Sequence, residues 1–201
     1  VTDIASTATT VQFIGDGKDA AQQFDGIVVD YDVTTAIAAT EVVVNNAGLE
    51  AKGVTINGIQ VDNSKAVTIN ATEVGTASGE VLATGTITGS SLESVTLNSN
   101  SDVNTTITGT GELKTVNLSG SDAGITLDLN TVVADATVTL GDGVDSINTV
   151  DTGGNTLTLT TGSGSDTVTL DGDAATAISI ADFTAGAGGD VIDLDANAAS
   201  N

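Results

Sequence analysis

Three segments of the chain share one pattern, Gly-x-Gly-x-Asp followed by one residue and an aliphatic. The first is Gly141-Asp142-Gly143-Val144-Asp145 with Ile147 two residues on. The second is Gly162-Ser163-Gly164-Ser165-Asp166 with Val168, and the third is Gly186-Ala187-Gly188-Gly189-Asp190 with Ile192. Their aspartates are 21 and 24 residues apart. Glycine tolerates positive φ, so several carbonyls of one tight turn can face a cation. The aspartate adds charge, and the aliphatic after it plugs a core. Oxygen ligands suit a hard ion, and calcium, which takes six to eight oxygens at about 2.3–2.6 Å in flexible geometry, is the expected cofactor. The candidate ligands are Gly141, Gly143, Asp145, Gly162, Gly164, Asp166, Gly186, Gly188 and Asp190. Asp142, Asp171, Asp173, Asp193 and Asp195 are further carboxylates that read equally well as solvated turn residues. A fourth copy, Gly15–Asp19, is followed by Ala20-Ala21-Gln22 rather than an alternating strand, and reads as a plain turn. A phosphate loop at Gly141–Gly143 would need a following Gly-Lys-Ser/Thr and a helix, which the sequence lacks.

Composition removes most other chemistry. The chain of 201 residues has 4 Lys+Arg against 27 Asp+Glu, a formal charge of −23, and no His or Cys. Zinc sites, thiol chemistry and Ser-His-Asp catalysis are therefore out of reach. Nucleic acid and anionic membranes need a basic footprint, so neither is an expected partner, and no stretch is apolar enough for membrane insertion. The absence of Met implies that Val1 is not a translation start and that the chain is a piece of a longer one. Hydrophobic residues make up 39% and aromatics only 2%, so the chain is β-forming with a thin Val/Ile/Leu core rather than disordered.

Something must hold those turns in line. Short alternating segments recur, among them Val54–Asn57, Val67–Asn70, Val95–Asn98, Ile125–Leu129, Ala136–Leu140, Thr156–Thr160, Thr167–Leu170, Ala177–Ile180 and Val191–Leu194. Each reads as a half-buried strand bounded by Gly, Asn, Asp and Ser. Leu97, Leu118 and Leu140 step by 21 and 22 residues, and Ile107, Leu127 or its neighbours, Ile147 and Val168 interleave with them. Two strands per repeat of about 21 residues is one coil of a solenoid. The expected fold is all-β, a right-handed parallel β-solenoid (β-roll or β-helix) over residues 81–201, with calcium-binding turns stacked on one edge. An antiparallel β-sandwich is the alternative. Residues 1–80 lack a clean period and read as a less regular β module or as the start of the same stack. Within them Lys18–Phe24 is a candidate helical turn, and Ala36–Val44 is ambiguous between helix and strand.

The glycine-aspartate turns resemble the RTX calcium-binding nonapeptide of secreted bacterial proteins, and Ile180–Leu194 is similar to the segment that often closes such repeat blocks. The strict resemblance covers about residues 141–195, with Leu140, Thr161 and Ala185 standing where the nonapeptide has its first glycine. The resemblance implies that Asp145, Asp166 and Asp190 supply carboxylate ligands and the glycines carbonyl ligands. Together with Thr/Ala/Val-rich, lysine-poor, cysteine-free repeats, the pattern resembles RTX-type surface-layer (S-layer) proteins of Gram-negative bacteria. Large RTX adhesins are next.

The expected function is structural: a calcium-dependent, extracellular cell-surface protein, associating with itself into a lattice or coat, with cell-surface polysaccharide a further partner. The resemblance implies type I secretion. The alternatives are an adhesin segment and the RTX tail of a secreted enzyme. Outward threonine rows read either as an ice- or glycan-binding face or as ordinary strand exteriors. No catalysis is expected: the chain has no Arg or His, and its only aromatics are Phe13, Phe24, Tyr31 and Phe183. Composition leaves an inverting carboxylate pair open.

Overall fold

A computed structural model describes residues 10–14, 22–24, 27–30, 36–45, 53–73, 81–108, 112–131, 134–149, 155–170 and 177–194. The described residues contain no helix, and so none long and apolar enough to cross a membrane. They wind through eight coils. The first holds β1 (Thr10–Ile14), β2 (Gln22–Phe24) and β3 (Ile27–Asp30); the second holds β4 (Thr40–Asn45), β5 (Val54–Ile56) and β6 (Ile59–Asp62). From the third onward each coil has two strands: β7 (Ala66–Glu73) and β8 (Val81–Thr88), β9 (Ser94–Ser99) and β10 (Asp102–Thr108), β11 (Thr115–Ser121) and β12 (Ile125–Thr131). The last three pairs are β13 (Ala136–Thr139) and β14 (Ser146–Thr149), β15 (Thr156–Thr160) and β16 (Thr167–Leu170), β17 (Ala177–Ile180) and β18 (Val191–Leu194).

Successive coils pair strand on strand into two sheets. One runs β1-β4-β7-β9-β11-β13-β15-β17; the other runs β2-β5-β8-β10-β12-β14-β16-β18, with β3 and β6 joining alongside β8. The pairings are parallel throughout, which makes the molecule a parallel β-solenoid and excludes the antiparallel sandwich. Both sheets pass residue 80: β7 pairs with β9, and β5 and β6 both pair with β8.

Alternation puts the apolar ranks between the sheets. Val42, Ile69, Leu97, Leu118, Val138 and Leu159 are buried from the first sheet, and Leu82, Ile107, Leu127, Ile147 and Val168 from the second. A period-2 strand places every second residue inward, and stacking coils turns those residues into continuous columns. The register steps are 21, 22, 21 and 21 residues along the first sheet from Val95 to Val116, Val116 to Val138, Val138 to Leu159 and Leu157 to Ile178. Before Val95 they lengthen: Val11 pairs with Val42, Val42 with Ile69 and Val67 with Val95.

In the first two coils the second side is split into two strands, which lengthens them; in the second coil the two strands meet at a kink at Asn57 and Gly58, while the third coil has the single strand β8 there. Strand β8 pairs with both halves and answers the kink with a bulge at Gly85, whose φ is +61°. A Cβ at Gly85 would press on the backbone of Ile56, Asn57 and Gly58. The bulge turns Thr84 inward, where its hydroxyl donates to Thr105 at 2.6 Å, so the extra polar group is satisfied. The candidate helical turn at Lys18–Phe24 is corrected at its described end, where Gln22–Phe24 is strand β2 pairing with β5; residues 18–21 lie outside the described residues. The ambiguity at Ala36–Val44 resolves to strand from Thr40.

Candidate metal centre

All three glycine-aspartate motifs lie on one edge of the solenoid, where the first sheet hands over to the second: between β13 and β14, β15 and β16, and β17 and β18. The coil length stacks them. Asp145 is 1% and Asp166 1% exposed, and Asp190 is also buried. Each carboxylate reaches back one coil to a backbone amide. The Ile125 N–H donates to Asp145 Oδ1 at 2.8 Å, the Asp145 N–H to Asp166 Oδ1 at 2.9 Å, and the Asp166 N–H to Asp190 Oδ1 at 3.1 Å. The result is a ladder of aspartates, one per coil, each capping the turn beneath it.

The second carboxylate oxygens divide the three. Asp190 Oδ2 accepts from the Thr184 N–H at 2.7 Å, so both its oxygens are engaged. Asp145 Oδ2 and Asp166 Oδ2 are buried with no hydrogen-bond partner. Two further orphaned oxygens, Asn100 Oδ1 and Ser121 Oγ, fall on the same edge in the two preceding coils. An unpartnered buried carboxylate oxygen is costly, because desolvation disfavours the ionised form. Accordingly, burial pushes the Asp145 carboxyl up to about 7; the Asp166 and Asp142 carboxylates add to the rise, while the Ile125 and Gly141 amides draw it down.

The glycines stand where no side chain fits. A Cβ on Gly162 would overlap the Gly141 carbonyl oxygen, and one on Gly164 would overlap that of Gly143. Gly162 and Gly164 also have φ of +93° and +155°, a region that L side chains rarely enter. Gly186 and Gly188 share the positive φ, at +124° and +79°, with open space around them. Gly141 and Gly143 depart from the expectation. They lack positive φ, and instead allow close approach to the Ser121 and Ala123 carbonyls of the coil below. Asp142 lies exposed beside Asp145. Asp171, Asp173 and Asp195 lie outside the described residues, as does the Gly15–Asp19 copy; Asp193 is exposed on strand β18.

One aspartate escaped the motif. Asp182, at the start of the last turn, accepts from the Thr161 N–H at 3.0 Å and the Gly162 N–H at 2.8 Å, and so holds the second glycine turn in place. Asp135 does the same for Thr156 at 2.8 Å on the opposite edge, and Asp102 for Gly124 at 3.1 Å. The signal in the sequence is an aspartate 20 to 22 residues from the amide it serves. Among the described residues no three acidic side chains converge on one point. Ligands for a hard cation between coils would thus be the free oxygens of Asp145 and Asp166 together with turn carbonyls. An all-oxygen donor set with two orphaned carboxylate oxygens fits calcium in kind.

No family model, curated protein or solved structure matches the chain.

Proposed function

We propose that this chain is a calcium-stapled structural module of an extracellular bacterial coat of S-layer type, which associates with itself. The carrying observation is the pair of buried, unpartnered carboxylate oxygens on Asp145 and Asp166 in adjacent coils of a chain with net charge −23. Such oxygens favour a divalent cation as the missing partner. When bound, calcium supplies two positive charges and accepts oxygen ligands in flexible geometry. Asp145, Asp166 and the carbonyls of the glycine turns would hold it. The same aspartates keep the turns in line through their Oδ1 oxygens, and Asp182 and Asp190 close the stack with both of theirs.

Folding is then linked to calcium. Binding to the folded chain alone stabilises it by mass action, and a chain that self-repels at low calcium folds where calcium is plentiful, outside the cell. Export of an unfolded chain by a type I route agrees with this. Self-association is what the resemblance to surface-layer repeats implies for such a module. The test is electron microscopy of the purified protein in chelator and in millimolar calcium. Ordered sheets only with calcium are expected; dispersed particles in both conditions overturn the coat reading.

A further inference from the structure

We propose that the outer face of the second sheet carries a binding groove for a neutral, linear polysaccharide across its last four coils. The groove is an open depression of about 520 Å³, lined by Thr126, Leu127 and Asp128 of β12, Ser146 and Asn148 of β14, Thr169 of β16, and Asp193 and Leu194 of β18. That volume falls within the range of small-ligand sites, about 300–1,000 Å³. It lies on the outer sheet face and begins beside the aspartate edge, since Ser146 follows Asp145 and Thr126 follows Ile125.

The parallel register arranges its polar groups in ranks. Thr126 is level with Ser146, and Asp128 with Asn148. Asn148 is level with Thr169, and Thr169 with Asp193. Strands are about 4.8 Å apart and alternate residues about 6.6 Å apart, so the groove is a grid of hydrogen-bonding groups with one row per coil. A chain of pyranose rings laid across the strands meets an equivalent group at each coil, because one sugar unit is close to one strand spacing in length. Carboxylate and amide side chains accept from or bridge neighbouring sugar hydroxyls, and Thr and Ser hydroxyls serve as either partner.

The lining also chooses the class of glycan. None of these groups is cationic, and both charged ones are carboxylates, so a uronate or phosphate polymer is repelled. Of the two leucines in the lining Leu127 is fully buried, so Leu194 is the one apolar side chain the groove exposes, which gives an apolar peptide little to bury against. Asp128 and Asp193 are three strand steps apart, about 14 Å, well beyond the roughly 5–9.5 Å of a glycosidase carboxylate pair. The groove therefore holds a sugar chain without cleaving it.

The test is a titration of the isotope-labelled protein, folded in millimolar calcium, with neutral β-1,4-linked hexasaccharides of glucose and of mannose, using an oligogalacturonate as the charged control. A protein that folds without calcium is assayed as it stands, so failure of the calcium reading leaves this test intact. At least one neutral hexasaccharide is expected to shift the amide signals of Thr126, Ser146, Asn148 and Thr169, and the galacturonate to leave them in place. Asn148→Ala and Asp193→Asn point to solvent, so they are expected to preserve the β spectrum and to weaken binding about tenfold each. Thr158→Ala on the opposite sheet is expected to leave binding unchanged. Absence of shifts with both neutral sugars at millimolar concentration overturns the proposal. So does binding that Asn148→Ala leaves intact, or that Thr158→Ala weakens equally.

Discussion

Replacing Asp145 by asparagine separates the cost of the buried carboxylate from its use. Burial lifts this group from 3.8 to about 7, a rise of about three units. At about 1.4 kcal/mol per unit, the ionised carboxylate destabilises the cation-free fold by up to about 4 kcal/mol, and solvent screening at the edge of the solenoid lowers this toward about 2. The folded state holds the proton more tightly than the unfolded chain. The penalty is therefore absent below pH 4, grows as pH rises from 4 to 7, and is complete above 7. Asparagine keeps the Oδ1 acceptor for the Ile125 amide and carries no charge. In chelator at pH 8, Asp145→Asn is expected to be about 2–4 kcal/mol more stable than the parent, and about equal to it below pH 4. In millimolar calcium the order reverses, because one ligand oxygen is lost. Urea unfolding followed by far-UV circular dichroism, at pH 5 and pH 8, with and without calcium, reads all four conditions. Where the parent is already unfolded at pH 8 in chelator, the measure is the pH at which the β signal emerges, which the substitution moves upward. The remaining carboxylates add a background slope common to both proteins, so the difference between them is the quantity of interest. Equal pH slopes in chelator, together with an equal gain from calcium, would refute the reasoning.

Two further outcomes follow from the stacked turns. Gly162→Ala combines positive-φ strain of about 1–2 kcal/mol with overlap on the Gly141 carbonyl costing about 1–3, whereas Gly186→Ala carries the strain alone. Gly162→Ala should therefore melt several degrees below Gly186→Ala, at about 2–4 °C per kcal/mol for a chain of this size, and equal melting would contradict the close stacking. Asp182→Ala removes the acceptor of the Thr161 and Gly162 amides and is expected to cost about 1–3 kcal/mol, with faster hydrogen exchange at those two amides. Unchanged exchange there would show that Asp182 does not hold the turn.

The later coils were legible because each is a minimal unit: two strands, two turns, about 21 residues. Their aliphatic spacing reports the winding directly, as with Val116 in register with Val95 and Val138. The first two coils were not, because a split second side adds residues to each of them. Gly58 and Gly85, which carry the kink and its answering bulge, look like any other turn glycine in one dimension. The aspartate column was readable from type and spacing alone. Which oxygens it leaves free was not. The third motif follows after 24 residues rather than 21, and the longer loop brings the Thr184 amide back to Asp190, so that this carboxylate is satisfied from within the chain. In the tighter turns the Asp145 and Asp166 Oδ2 oxygens are left without a hydrogen bond, although the Gly141 amide lies near enough to Asp145 to favour its ionised form. Asp182 belongs to no glycine motif, and its two amide partners lie a full coil away.

The most direct test of the central claim is native mass spectrometry beside far-UV circular dichroism, on the parent and on Asp145→Asn/Asp166→Asn, during a calcium titration from chelator to millimolar. The account predicts a coil spectrum in chelator, a β spectrum with a discrete number of bound calcium ions at the end, and loss of bound calcium in the double variant. A β spectrum unchanged in chelator, with no calcium retained by the parent, would contradict it.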